Sequence, residues 1–163
     1  MKEVIYLWKK KKVLTCKNGV CKSSKELEEL SRNTNEVLTT IKGMTFQNAL
    51  GYLMNYLDLV EKDISDIPND ESSLSCRQLE RYKNGETKIL NKKVVIAICI
   101  SMKLPLVISL TLLELAGIVL TNTYEDTVLL IVLSVCVNCS FDEINNMLED
   151  IEIDSLTNKI KKN

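Results

Sequence analysis

The sequence predicts a mainly α-helical protein with a short N-terminal β-hairpin and a C-terminal helical extension. Three observations carry that reading. Apolar residues recur at helical spacing through most of the 163-residue chain, which holds only two prolines and five glycines. A Ser, Thr or Asn stands just ahead of most apolar segments, where its side-chain oxygen can accept an amide of the first helical turn. Short β-favouring runs stand at residues 4–8 and 13–16, beside Lys17-Asn18-Gly19, and Val20 and Cys21 would begin a return strand. Asn-Gly tolerates positive φ and makes a tight turn there.

The chain divides into three parts. Residues 1–43 hold the hairpin and a helix opened by Ser23 with Glu26, a capping-box pattern, running through Leu27 and Leu30 with a possible restart near Val37. Residues 44–120 hold a series of five helices. Thr45, three residues ahead of Asn48, opens the first, and Phe46, Ala49, Leu50, Leu53, Met54 and Leu57 give it a core-facing stripe. Residues 59–67 fit a short second helix, and 68–73 form a loop around Pro68. The third runs from about Ser75 to Lys83 on the anchors Leu74, Leu79 and Tyr82, and Asn84-Gly85 stops it. Asn91 caps a fourth, Lys92 to Met102, rich in Val and Ile and therefore buried. Pro105 opens a fifth that ends near Gly117. Residues 121–163 form an acidic extension, with Thr123 and Asp126 opening a helix at 124–137 and Ser140 and Glu143 opening another at 141–150.

Charge is unevenly spread. Lysine and arginine total 21 against 22 acids, yet residues 77–93 carry six bases and two acids, a local +4. From Leu104 to Thr157 there are nine acids and no base. A basic stripe beside an acidic body is compatible with a nucleic-acid partner. The absence of histidine excludes Ser-His-Asp triads, Cys-His dyads and HExxH zinc sites, and no Gly-rich phosphate loop occurs, so no enzyme activity is expected.

No signal-peptide pattern opens the sequence, so a cytoplasmic, reducing setting is expected, with the six cysteines as thiols. Two apolar stretches, 94–120 and 127–137, read as buried helices, because the first contains Lys103, Pro105 and Glu114 and the second is too short to span a bilayer. Cys16, Cys21, Cys136 and Cys139 together offer the donor set of an all-thiolate zinc site. The Cys16–Cys21 spacing suits a turn better, and Cys136 ends an apolar run where a buried thiol is common, so neither a metal nor another cofactor is assigned.

The ordered series from Thr45 to Gly117 resembles the lambda-repressor-like helix-turn-helix family, the Cro/repressor or Xre-type regulators. The matching segments are Thr45–Leu57, Val60–Ser65, Leu74–Glu86, Val95–Ile100 with Lys103-Leu104-Pro105, and Leu112–Gly117. The resemblance implies a five-helix DNA-binding domain in a bacterial or phage transcriptional repressor that occupies an operator as a homodimer. It implies that the third helix is the recognition helix. With Leu79 and Tyr82 turned inward, Ser75, Arg77, Gln78 and Arg81 face outward. Arg suits guanine, Gln suits adenine and Ser75 suits a phosphate. Asn84 lies at the end of this helix, and Lys83, Lys88, Lys92 and Lys93 would clamp the backbone.

The segment from Ile64 to Leu74 is longer than the family's turn and adds Asp70 and Glu71. It favours an alternative: a protein-interaction or antitoxin-like adaptor whose degenerate helix-turn-helix no longer reads DNA. A partner of a metallopeptidase is a third reading. The helix at 124–137 is an added contact surface that either packs on the domain or pairs with a second copy.

Overall fold

A computed structural model describes residues 23–64, 74–136 and 138–156. Its elements are α1 (Ser24–Ile41), α2 (Phe46–Leu57), α3 (Glu61–Ile64), α4 (Cys76–Lys83), α5 (Lys92–Ser101), α6 (Leu106–Leu115), α7 (Tyr124–Val135) and α8 (Phe141–Asp150). The mainly α reading holds, with no strand among the described residues. The expected hairpin, the loop 68–73 and the end of the expected second helix lie outside them.

Local chemistry accounts for the helix starts. Ser23, Thr45, Thr123 and Ser140 each accept, at 3.2–3.3 Å, the amide three residues on. Asn91 Oδ1 accepts the amides of Lys93 and Val94 at 2.9 and 3.4 Å. The Glu143 carboxylate returns the favour at α8, accepting the Ser140 amide at 2.8 Å and completing a capping box. Pro105 precedes α6 without a side-chain bond, its fixed φ suiting a helix entrance.

The helix stops are equally specific. After α4 the Glu86 amide reaches the Arg81 carbonyl at 2.9 Å and the Gly85 amide reaches Tyr82 at 3.2 Å. That closure needs a left-handed residue, and Gly85 has φ +72°. Gly117 ends α6 in the same way. Lys103 and Glu152 do so after α5 and α8 without being glycine, at φ 51° and 61°.

At the centre lies α5, where Val94 to Ile100 are all buried. A helix apolar all round must be enclosed, and α3, α6 and α7 pack on it. The six stripe residues of α2 are buried, as expected, against α1, α4 and α6. Leu129, Val132 and Leu133 of α7 and Ile144 and Leu148 of α8 belong to the same hydrophobic cluster as Leu50 and Ile98. The acidic extension therefore completes the core. Ile153 and Leu156 bring the chain back onto it, and Asn145 Oδ1, itself buried, accepts the Leu156 amide at 2.9 Å.

Two expectations change. The first helix does not restart near Val37: α1 is continuous for 18 residues, because Val37 and Ile41 anchor its last two turns in the core. The helix expected at 124–137 ends at Val135, where the Cys136 amide closes the last turn on the Val132 carbonyl. No helix among the described residues is long and apolar enough to cross a membrane.

Candidate nucleic-acid interface

The candidate site is built around α4. Leu79 and Tyr82 point into the core and pack with Leu74, all three at most 4 % exposed. Since a helix turns 100° per residue, burial of positions 79 and 82 sends Arg77, Glu80 and Arg81 to the opposite side. All three are exposed there, and Gln78 is half-buried at the edge. The underside of α4 meets α2 closely: a Cβ on Gly51 would lie 3.8 Å from Lys83 Cγ.

The nine residues expected at a DNA surface fall into three groups. Arg77, Arg81, Asn84 and Lys88 are exposed, with Gln78 beside them. Arg81 Nε lies 3.8 Å from Glu86 Oε2, but both side chains are about half exposed, so this pair is weak. Ser75 is elsewhere. It is 4 % exposed, and its hydroxyl caps α4 by accepting the Gln78 amide at 3.2 Å. The hydroxyl expected to meet a phosphate is thus buried and engaged as the N-cap of α4.

The lysines form the third group. Lys83 donates to the Glu61 carboxylate of α3, which the ammonium and its hydrogen bond hold below the usual glutamate range. Lys92 Nζ lies 2.5 Å from Asp126 Oδ1. Lys93 Nζ lies 3.3 Å from Glu125 and 3.4 Å from the Asp154 carboxylate, and donates to the Asp154 carbonyl at 3.1 Å. Both Lys92 and Lys93 occupy the first turn of α5, where the helix dipole disfavours cations. The first-turn acids of α7 relieve that penalty. These two lysines thus tie the acidic extension to α5, and the backbone clamp expected of them is occupied by the protein's own carboxylates.

Sequence reasoning passed over Lys62, an exposed cation on α3, the helix packed against α4. The signal was faint, since Lys62 is the only base between Met44 and Cys76. The Ser75 role was legible by the rule that found Ser23 and Thr45, a hydroxyl followed three residues later by a polar residue.

The thiols divide by depth. Cys99 is fully buried, and burial pushes it up to about 12 although the Ser109 hydroxyl acts in the opposite direction. Cys136 is buried and raised, first by desolvation and then by neighbouring Cys139, whose amide donates to the Cys136 carbonyl at 3.0 Å. No group of three or more metal-ligating side chains exists among the described residues, and Cys16 and Cys21 lie outside them.

The chain matches no family model, no curated protein and no solved structure.

Proposed function

We propose that the protein is a sequence-specific DNA-binding transcriptional regulator of the repressor type, with α2 to α6 as its helix-turn-helix domain and α4 as its recognition helix. The observation that carries this reading is the two-sidedness of α4, which buries Leu79 and Tyr82 and leaves Arg77 and Arg81 exposed. Guanidinium groups on an exposed helix face suit guanine O6 and N7 in a major groove, and Gln78 at the edge suits adenine. Lys88 and Lys62 supply cations for phosphates, while Asn84 offers an amide at the helix end. Ser75, Lys83, Lys92 and Lys93 hold the fold that presents this face. Operator recognition by such domains uses paired half-sites, so the regulator acts as a homodimer.

The experiment is retention of DNA from the chain's own upstream region across a salt series. The reading expects specific retention that weakens with salt and is lost in Arg77→Ala and Arg81→Ala. Absence of retention at every salt concentration sinks it. One observation favours the second reading, an interaction adaptor with a degenerate helix-turn-helix. Lys83, Lys92 and Lys93, which belong to the 77–93 stripe, are engaged by carboxylates.

A further inference from the structure

Cys136 and Cys139 bracket the corner between α7 and α8. Cys136 ends α7, and the Cys139 amide donates to its carbonyl at 3.0 Å. A hydrogen bond from residue i+3 back to residue i closes a turn whose end Cα atoms lie within about 7 Å. Disulfides span Cα separations of roughly 4.4–6.8 Å, so the backbone already holds this pair near bridging range. The side chains agree with the backbone. Buried Cys136 belongs to the hydrophobic cluster and half-buried Cys139 packs against it, which brings both thiols to the inward side of the turn. They also act on one another: after desolvation, the charge and hydrogen bond of Cys139 are what raise Cys136.

We propose that this pair is a thiol–disulfide exchange site that reacts with small disulfides of the glutathione type and closes to a Cys136–Cys139 disulfide. Exposure sets the order of events. Cys136 is 8 % exposed and Cys139 is half-buried, so a disulfide arriving from solvent meets Cys139 first. The Cys139 thiolate attacks one sulfur of that disulfide, the S–S bond breaks, and one half leaves with the bonding electron pair. The mixed disulfide removes from Cys139 the charge that helps keep Cys136 protonated. Cys136 then gives up its proton, attacks the Cys139 sulfur and expels the second half. Two electrons pass from the protein's dithiol to the small disulfide, which ends as two thiols carrying both protons. In a reducing compartment such a bond is transient and redox-responsive. No residue of α4 takes part, so the site stands or falls apart from the DNA reading.

The test equilibrates the full chain with mixtures of reduced and oxidised glutathione, folded or in urea, and then traps free thiols with iodoacetamide in denaturant. No base lies between Lys103 and Lys159, so one tryptic peptide carries Cys136 and Cys139 and no other cysteine. Mass spectrometry should find that peptide unalkylated and two hydrogens lighter. Its ratio to the alkylated form should be at least about tenfold higher from the folded protein than from urea, because only the folded chain holds the turn closed. Cys136→Ala should stop at a glutathione adduct on Cys139. Cys139→Ala should form its adduct on Cys136 at least about tenfold more slowly than that. Circular dichroism checks that both variants fold, and the oxidised wild type should keep its helix content. A folded wild type that accumulates the adduct without the internal disulfide overturns the proposal, as does a ratio no higher than in urea. So does an adduct formed equally fast in the two variants, or a loss of helix on oxidation that Cys136→Ala does not share.

Discussion

Lys92 Nζ donates to Asp126 Oδ1 at 2.5 Å, tying the first residue of α5 to the first turn of α7. The second carboxylate oxygen of Asp126 is equally occupied: Oδ2 accepts the backbone amide and the hydroxyl of Thr121, both at 2.7 Å. Asp126 is 4 % exposed, and Lys92 first, then Thr121, hold its carboxyl well below the usual aspartate range. This clasp, with the bonds of Lys93 to Glu125 and Asp154, joins the acidic extension to the helical core.

Asp126→Ala is expected to destabilise the protein by about 3 kcal/mol, the lower end for breaking a buried pair, because Lys92 is partly hydrated. Lys92→Met combined with Asp126→Leu should cost less than the two single changes added together. Denaturant midpoints for wild type, Lys92→Met, Asp126→Leu and the double variant decide the matter, and additive costs would show that the two side chains are not coupled.

The same carboxylate sets an acid dependence. Its pKa is lower folded than unfolded, so the folded state holds the proton less tightly. The stabilisation is full above the unfolded value, about 3.9, and is lost as pH falls below it. Melting temperatures measured from about pH 6 down to pH 2 should show the gap between wild type and Asp126→Asn narrowing below about pH 4. A gap that stays constant to the lowest pH refutes the assignment.

Lys103 occupies the left-handed region at φ 51° so that the Leu104 amide can close on the Cys99 carbonyl at 3.0 Å. A side chain there costs about 1 kcal/mol, part of which glycine gives back through its freer unfolded chain. Lys103→Gly is expected to stabilise by about 0.5 kcal/mol, a rise in Tm of roughly 1–2 °C. Gly85→Ala, at φ +72°, should move Tm the other way. Calorimetry on the two variants reads both signs.

These helix ends show where a sequence speaks plainly. Thr45, Asn91, Thr123 and Ser140 cap the helices their spacing announces, and Gly85 and Gly117 mark stops, since each depends on neighbours three or four residues away. Lys103 and Glu152 end helices with no local signal, because the strain they bear is offset by burial of Leu104 and Ile153 beyond them. The continuity of α1 through the polar stretch 31–36 is likewise decided by the core, through Val37 and Ile41. At the candidate site, periodicity made the inward face of α4 legible from Leu79 and Tyr82. The partners of Lys92 and Lys93 were not, because they lie 34 and 61 residues away. Their one trace is charge segregation: nine acids between Leu104 and Thr157 without a single base must find cations elsewhere.

Thiol chemistry should follow depth. Cys99, pushed up to about 12 and fully enclosed, is expected to resist alkylation at neutral pH until the protein unfolds. Half-buried Cys139 should label in the native state, ahead of buried Cys136. Mass spectrometry of peptides after timed iodoacetamide exposure gives the order. Native-state labelling of Cys99 before Cys139 would contradict the packing of α5.

The division among the basic residues makes the sharpest functional prediction. Arg77 and Arg81 stand exposed on the outer side of α4, whereas Lys93 is 18 % exposed and bonded to the extension. Arg77→Ala and Arg81→Ala should each weaken specific DNA retention by about 1–3 kcal/mol while leaving stability within about 0.5 kcal/mol. Lys88→Ala should weaken retention on all sequences alike and reduce the salt slope by about one. Lys93→Gln should do the reverse of the arginine changes, lowering Tm while altering DNA affinity by no more than about threefold, because its ammonium holds Glu125 and Asp154 instead of a phosphate. Binding isotherms and melting curves on the same four variants separate the roles. If Lys93→Gln abolished retention at unchanged Tm, the ammonium would belong to the DNA surface after all, and the first turn of α5 would have to open from the extension to bind.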